Sequence, residues 1–364
     1  MISERKDDHV RLATELHRAA DTAREFDDVR FVHHALAGID RHEVDLGVTV
    51  AGMRWHTPLF INAMTGGSER TGVINRQLAI AARETGLAMA TGSMSAFLRD
   101  PGAAGSYRVV REENPDGIVL ANVNANTSAA DARRAVELVR ADALQIHLNA
   151  VQETVMPEGD RSFGAWAGNI GRIVEGVEVP VIVKEVGFGL SGETITRLGD
   201  LGVAAADVSG SGGTNFALIE QGRRADGGFA YLADWGQSAP ACLLEALGSE
   251  LPVLASGGVR HPLDVARALA LGASAVGISG VALDILLARG LDALIAELGG
   301  WLDQLVSLMV LLGAPRPADL TGCDLVIGGE LAHYCAARGI RIDQPSLRQS
   351  RAARAPEPAA PCLV

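Results

Sequence analysis

The residues best able to do chemistry stand together in the run Gln145-Ile146-His147-Leu148-Asn149-Ala150-Val151-Gln152-Glu153. A base, two amides and a carboxylate fall where an apolar run meets its loop, so several of them could converge on one pocket. The plain alternative is a histidine satisfied by neighbouring backbone beside a polar loop. Glu153 is a hard oxygen donor of the kind magnesium accepts singly, with diphosphate oxygens and water filling its other positions. Cations for such an anion stand at Arg5, Lys6 and His9, where the plain alternative is a solvated charged terminus.

A second set of residues recurs just after short apolar runs. It comprises Asn62 to Gly67 (with Ala63, Met64 and Thr65), Gly92-Ser93, Asn122, His147 with Asn149, Lys184, Ser209 to Asn215 (with Thr214), Ser256-Gly257-Gly258 and Ser279-Gly280. Small hydrogen-bonding side chains, amides and bases, with almost no carboxylates, suit a large, polar, anionic, planar ligand. Ser256-Gly257-Gly258-Val259-Arg260 opens a helix-like segment and Ser279-Gly280 follows the last run, which together predict a phosphate site of backbone amides and a helix N-terminus. Each glycine pair alone could be a plain βα turn; three on neighbouring strands point to phosphate. Lys184 is either a snorkelling lysine or, in a cofactor barrel, a cation beside the pyrimidine edge of a flavin.

These positions need a scaffold that brings strand ends together. The apolar runs are Leu59 to Ile61, Leu87 to Ala90, Ile118 to Ala121, Ala143 to Ile146, Val179 to Val183, Ala204 to Val208, Val253 to Ala255 and Ala275 to Ile278. They start roughly 25 to 35 residues apart, with one longer gap before the seventh, and helix-length segments lie between them. One such segment opens at Pro262 and carries apolar residues at Leu263, Ala266, Leu269 and Ala270. Eight strand-helix units predict the α/β class and a (β/α)8 TIM barrel with an N-terminal extension; an open doubly wound sheet is the runner-up. The predicted division is an extension at 1–57, a barrel at 58–345 and a disordered tail at 346–364. Within the extension a helix is expected over Asp7 to Arg24 and a loop or hairpin around Gly38 to Gly52. The apolar stretch Leu302 to Leu312 reads as a buried amphipathic helix.

Composition narrows the function classes. The chain has 364 residues, 48% of them hydrophobic and 42 of them glycine, which fits a globular enzyme with many close backbone approaches. A formal net charge of -12 argues against a nucleic-acid partner. Cys242, Cys323, Cys335 and Cys362 show neither zinc-ligand nor disulfide spacing, a reducing cytosol fits, and no signal peptide or membrane span is evident.

Several stretches go further: Arg5 to His9, Pro58 to Gly67, Gly92-Ser93, His147 to Glu153 with Met156 to Asp160, Val183 to Gly189, Gly212 to Glu220, Trp235-Gly236 and Ala255 to Gly258. Through them the sequence resembles the type 2, FMN-dependent isopentenyl diphosphate isomerases, from residue 5 to about 340. The His-x-Asn-x-x-Gln-Glu segment and Asn-Ala-Met-Thr-Gly-Gly are the specific elements. The resemblance implies FMN, active when reduced by NADPH or another reductant, magnesium, a small diphosphate substrate and a cytoplasmic homo-oligomer, tetramer or octamer. It implies that Ala63, Met64, Thr65, Ser93, Asn122, Lys184, Ser209, Thr214, Gly257, Gly258, Arg260, Ser279 and Gly280 surround FMN. Arg5, Lys6, His9, Ser93, His147, Asn149 and Gln152 would face the substrate, with Glu153 on magnesium. One departure is visible: Met94-Ser95 follows Ser93, where the family commonly has glutamine.

The implied reaction protonates an unactivated alkene carbon and removes a proton two carbons away. Gln152 is no strong acid, so it would position or relay a proton while a reduced flavin serves as the acid-base device. Three competing readings remain. A 2-hydroxy acid oxidase or dehydrogenase could use Arg260-His261. A reaction like that of inosine monophosphate dehydrogenase needs a nucleophilic cysteine after the sixth strand, and none occurs between Val208 and Ala241. A flavin- or phosphate-binding barrel without activity is the third.

Overall fold

A computed structural model describes residues 10–12, 25–224 and 228–342. Its centre is a closed ring of parallel strands: β1 (Leu59–Ile61), β2 (Ala88–Ala90), β3 (Val119–Asn124), β4 (Ala143–His147), β5 (Val181–Lys184), β6 (Ala205–Asp207), β7 (Val253–Ser256) and β8 (Val276–Ile278). β8 pairs with both β7 and β1, so the ring closes and the open-sheet alternative falls. The strand edges lie close to the apolar runs. β3 is the exception, continuing through three further residues because Asn122 to Asn124 pair with Gln145 to His147 of β4.

Side chains alternate along each strand, and that period of two builds the site. Phe60, Leu120, Ala143, Ile182, Ala205 and Leu254 share one buried cluster inside the ring, while Ile61, Ala121, Leu144, Val183, Ala206 and Ala255 pack into the cluster toward the helices. Two residues further along stand Asn62, Asn122, Gln145, Lys184, Asp207 and Ser256, all buried. The barrel interior therefore changes from an apolar layer to a polar one within a single step toward the carboxyl ends.

The apolar layer is sealed from the other end. Strands Val48–Val50 and Met53–Trp55 form an antiparallel hairpin turning at Ala51 and Gly52. Trp55 packs edge-on against Phe60 with ring centroids 5.4 Å apart. The hairpin begins about ten residues later than the Gly38 expectation, because Arg41–Glu43 forms a 3-10 turn with a capping box at Asp40.

The helices end and start where side chains satisfy their termini. Ser68, Ser128, Ser191 and Ser238 cap their helices, and His261 caps the helix Pro262–Ala270. The late apolar helix starts well before Leu302 and spans Leu291–Leu312. It is long and apolar enough to cross a membrane by length and composition. Its buried stripe, Leu294, Leu298, Trp301, Leu305 and Met309, follows helical spacing and packs on Glu69–Thr85, Pro262–Ala270 and Gly280–Arg289. That is the pattern of a helix docked on a barrel. Before the barrel, Val29–Phe31 pairs antiparallel with Leu325–Ile327, tying the leading segment to the chain that follows it. Of the helix expected over Asp7 to Arg24, residues 10–12 are helical and the rest lies outside the described residues, as does the tail from 346.

Candidate active site

The polar layer opens into a cavity of about 540 Å3 at the carboxyl ends of the strands. Its wall brings together Ala63, Met64, Thr65, Ser93, Asn122, His147, Asn149, Gln152, Glu153, Lys184, Ser209, Thr214, Gly257, Gly258, Ser279 and Gly280. Arg5, Lys6 and His9 lie outside the described residues. Arg260 is not brought to the wall. Its guanidinium is clasped by Asp27 (2.7 and 2.9 Å) and by Asp264 (2.9 Å), because the segment before the barrel passes beside the helix that Arg260 precedes. Arg260 in turn holds the Asp27 carboxyl well below the usual range, at about 2.

The glycine loops form a cradle no side chain could share. Gly257 and Gly258 have φ of 93° and 76°, in the left-handed region open to glycine. A Cβ on Gly257 would collide with the Gly210 carbonyl, so the loops after β6 and β7 lie backbone against backbone. Ser209, at φ 39°, carries the same left-handed turn without being glycine.

Lys184 and its neighbours set the charge at the cavity floor. Lys184 is buried, its Nζ donates to the Glu185 carbonyl at 2.5 Å and lies 3.5 Å from Ser209 Oγ. Burial pushes the ammonium pKa down, against the opposing pull of Asp207 and Glu185. Burial pushes the Glu185 carboxyl up to about 7, although it accepts N–H bonds from Phe188 and Val186.

Opposite that floor, the short helix Ala150–Val155 presents a linked set. Asn149 Nδ2 lies 3.2 Å from Gln152 Oε1 and 3.0 Å from Glu153 Oε1, while Glu153 Oε2 accepts the Asp160 N–H at 2.8 Å. Gln152 Nε2 donates to Glu220 Oε1 at 2.9 Å, and Glu220 is fully buried with Arg223 on its other oxygen. Two buried atoms on the wall, Thr65 Oγ1 and Asn149 Oδ1, have no hydrogen-bond partner among the described residues.

Residues 108–326 match the family of FMN-dependent dehydrogenases. The isopentenyl-diphosphate delta-isomerase of Kitasatospora griseola is 62% identical over 350 residues, covering 96% of each chain. That of Streptomyces sp. (strain CL190) is 60% identical over 348 residues, again 96% of each. That of Latilactobacillus sakei subsp. sakei is 47% identical over 342 residues, 93% of this chain and 97% of the other. This chain belongs to the isopentenyl-diphosphate delta-isomerase family, in its FMN-dependent type 2 form.

Solved structures share the barrel fold. A flavocytochrome b2 mutant with benzoylformate superposes with a TM-score of 0.64 at 18% identity, over 93% of this chain and 84% of that one. A mandelate oxidase mutant with an FMN adduct gives 0.60 at 19%, over 88% and 92%. At such identities the likeness is one of fold.

The sequence reading of this isomerase-family site singled out Glu153 and missed the other carboxylates. Asp207 points into the ring beneath the wall and accepts from Asn62, Ser256 and the Ser209 N–H; Glu220 is buried against Gln152 and Glu185 is buried next to Lys184, and Glu158 and Asp160 face the cavity. Arg99 also reaches the wall, from the short helix Ser95–Arg99 after β2. Met94 before it is fully buried, so Ser95 and Arg99 are the groups that helix presents. A signal for Glu220 was present: Ala217 and Glu220 occupy one buried helix face three residues apart, a charge where burial favours an apolar group.

Proposed function

We propose that this chain interconverts isopentenyl diphosphate and dimethylallyl diphosphate by a 1,3-allylic proton shift, using reduced FMN and magnesium. The observation that carries the reading is the Gln152–Glu220 pair on the same cavity as Lys184 and the glycine cradle. The residues fit FMN: Gly257, Gly258, Ser279 and Gly280 leave backbone room for a phosphate, and Thr65, Ser93, Asn122 and Lys184 offer polar contacts to a ring system. Bound and reduced, the flavin supplies ring nitrogens that exchange protons. Lys184 stabilises negative charge at the cavity floor. Gln152 is held by Glu220 so that its amide orients a proton at the allylic carbons.

His147, Asn149 and Ser93, joined by Arg5, Lys6 and His9, bind the diphosphate in this reading. Glu153 fits magnesium as the one carboxylate of a site completed by diphosphate oxygens and water, since each of its oxygens carries one N–H donor and keeps a lone pair. No cluster of three or more ligating side chains exists among the described residues, in keeping with a metal held chiefly by substrate. NADPH or another reductant supplies the reduced flavin, and the enzyme works as a cytoplasmic homo-oligomer.

The oxidase reading loses both of its residues. His261 caps its own helix, and Arg260 is engaged by two carboxylates. The test of the proposal is anaerobic incubation of isopentenyl diphosphate with the protein, dithionite-reduced FMN and magnesium. Dimethylallyl diphosphate should form, and absence of product under these conditions would overturn the assignment.

A further inference from the structure

The polar layer beneath the cavity is one hydrogen-bonded chain. Asn62 Nδ2 lies 2.6 Å from Asp207 Oδ2, Gln145 Nε2 lies 3.2 Å from Asn62 Oδ1, and Asn122 Nδ2 lies 3.3 Å from Gln145 Oε1. At the far end Asn122 Oδ1 lies 2.6 Å from His147 Nδ1. Asn62, Gln145 and Asp207 are buried and off the cavity wall, so water is not available there to replace a wrongly oriented link.

Which end of each amide is oxygen, and which ring nitrogen of the histidine carries hydrogen, follows from the partners. Two groups of fixed character set the direction. Asp207 meets donors at its other contacts, Ser256 Oγ and the Ser209 N–H, and as a carboxylate it gives no hydrogen to Asn62. The Ala63 N–H can only donate, and it bonds Asn62 Oδ1 at 2.7 Å. Asn62 is therefore locked from both sides. Its oxygen requires the Gln145 amide nitrogen, Gln145 then shows oxygen to Asn122, and Asn122 shows oxygen to the imidazole. The nitrogen facing Asn122 has to carry the hydrogen.

We propose that Asn62, locked between the Ala63 N–H and Asp207, is a positioning residue: through Gln145 and Asn122 it fixes His147 with hydrogen on Nδ1, making Nε2 the nitrogen that meets the substrate's diphosphate oxygens. The second half rests on the diphosphate reading above. When the ring takes up a second proton, that proton goes to Nε2, and the Nδ1–H is already matched by an amide oxygen. Four links polarised in one sense strengthen that bond, so the imidazolium that grips an oxyanion is held in one orientation.

The test is the hydrogen position itself. In FMN-bound protein labelled with 15N-histidine, the His147 ring signals are assigned by their loss in His147→Gln, and their shifts distinguish the two tautomers. The wild type should show the Nδ1–H form. Asn62→Leu, which removes the lock, and Gln145→Met, which cuts the chain but leaves Asn62 in place, should both populate the Nε2–H form. In both variants the Kd for inorganic pyrophosphate should rise about five- to tenfold while FMN content is kept, the size expected for one weakened charge-assisted hydrogen bond. An Nε2–H form in the wild type, or an undisturbed Nδ1–H form in either variant, would overturn the proposal; the wild-type spectrum decides even where a variant fails to fold. A tautomer that shifts in both variants while wild type binds no pyrophosphate would overturn the diphosphate reading and leave Asn62's hold on His147 standing.

Discussion

Gln152 Nε2 donates to Glu220 Oε1 at 2.9 Å, joining the short helix after β4 to the helix Phe216–Gly222 after β6. Glu220 has no exposed surface and Arg223 holds its other oxygen, so the carboxylate is a fixed post and Gln152 cannot swing without leaving it. Asn149 bonds Gln152 from the opposite side, at Oε1, which sets the direction of the amide.

Shortening that side chain tests the relationship. Gln152→Asn withdraws the amide by one carbon, and a displacement of this order in a reacting group costs about a hundredfold in turnover. Steady-state kinetics should show the loss in kcat, with KM and FMN content nearly unchanged. A loss confined to KM would place Gln152 in binding alone.

Much of this site was legible because strands alternate. The polar residues Asn62, Asn122, Gln145, Lys184 and Ser256 stand two places beyond inward apolar residues, and the glycine loops announce themselves. Asp207 was not legible, because the apolar run Ala204 to Val208 passes through it and reading began at Ser209. A carboxylate inside such a run looks like an interruption until three donors are found around it. Arg260 misled for the opposite reason: beside a phosphate-type loop it reads as a ligand cation, but Asp27, more than 200 residues away in sequence, takes the guanidinium. Long-range pairing of that kind leaves no local pattern.

Lys184 is the buried cation of the floor. If it lies beside the flavin, Lys184→Ala removes a charge that favours the anionic reduced ring, and the bound FMN should become harder to reduce. Potentiometric titration of the two proteins checks this; an unchanged potential would count against the placement.

The cradle makes a steric prediction. Gly257→Ala forces a Cβ into the Gly210 carbonyl at a left-handed φ, whereas Gly248→Ala meets only the conformational cost, with nothing within 4 Å. Unfolding in urea should show a loss above about 2 kcal/mol for the first and about 1 kcal/mol for the second. FMN content should fall in the Gly257 variant alone.

Glu185 predicts a pH dependence. Burial raises its carboxyl from 4.5 to about 7 in the fold, so the folded chain keeps a proton that the unfolded chain releases. The stability this group contributes is full below the unfolded value and is lost as pH rises through about 7. Between about pH 5 and pH 8, wild type should lose on the order of 2 to 3 kcal/mol relative to Glu185→Gln. Parallel urea midpoints for the two proteins at both pH values would contradict the buried, raised carboxyl.

The central claim is an allylic proton shift without net redox, and one measurement addresses it most directly. Isopentenyl diphosphate is turned over anaerobically in D2O with pre-reduced FMN and magnesium, and the product is read by NMR while the flavin is followed by absorbance. The account predicts dimethylallyl diphosphate carrying deuterium in a methyl group, with the flavin still reduced after many turnovers. Flavin that is oxidised in step with product, or oxygen uptake with lactate or glycolate in place of isomerisation, would contradict it.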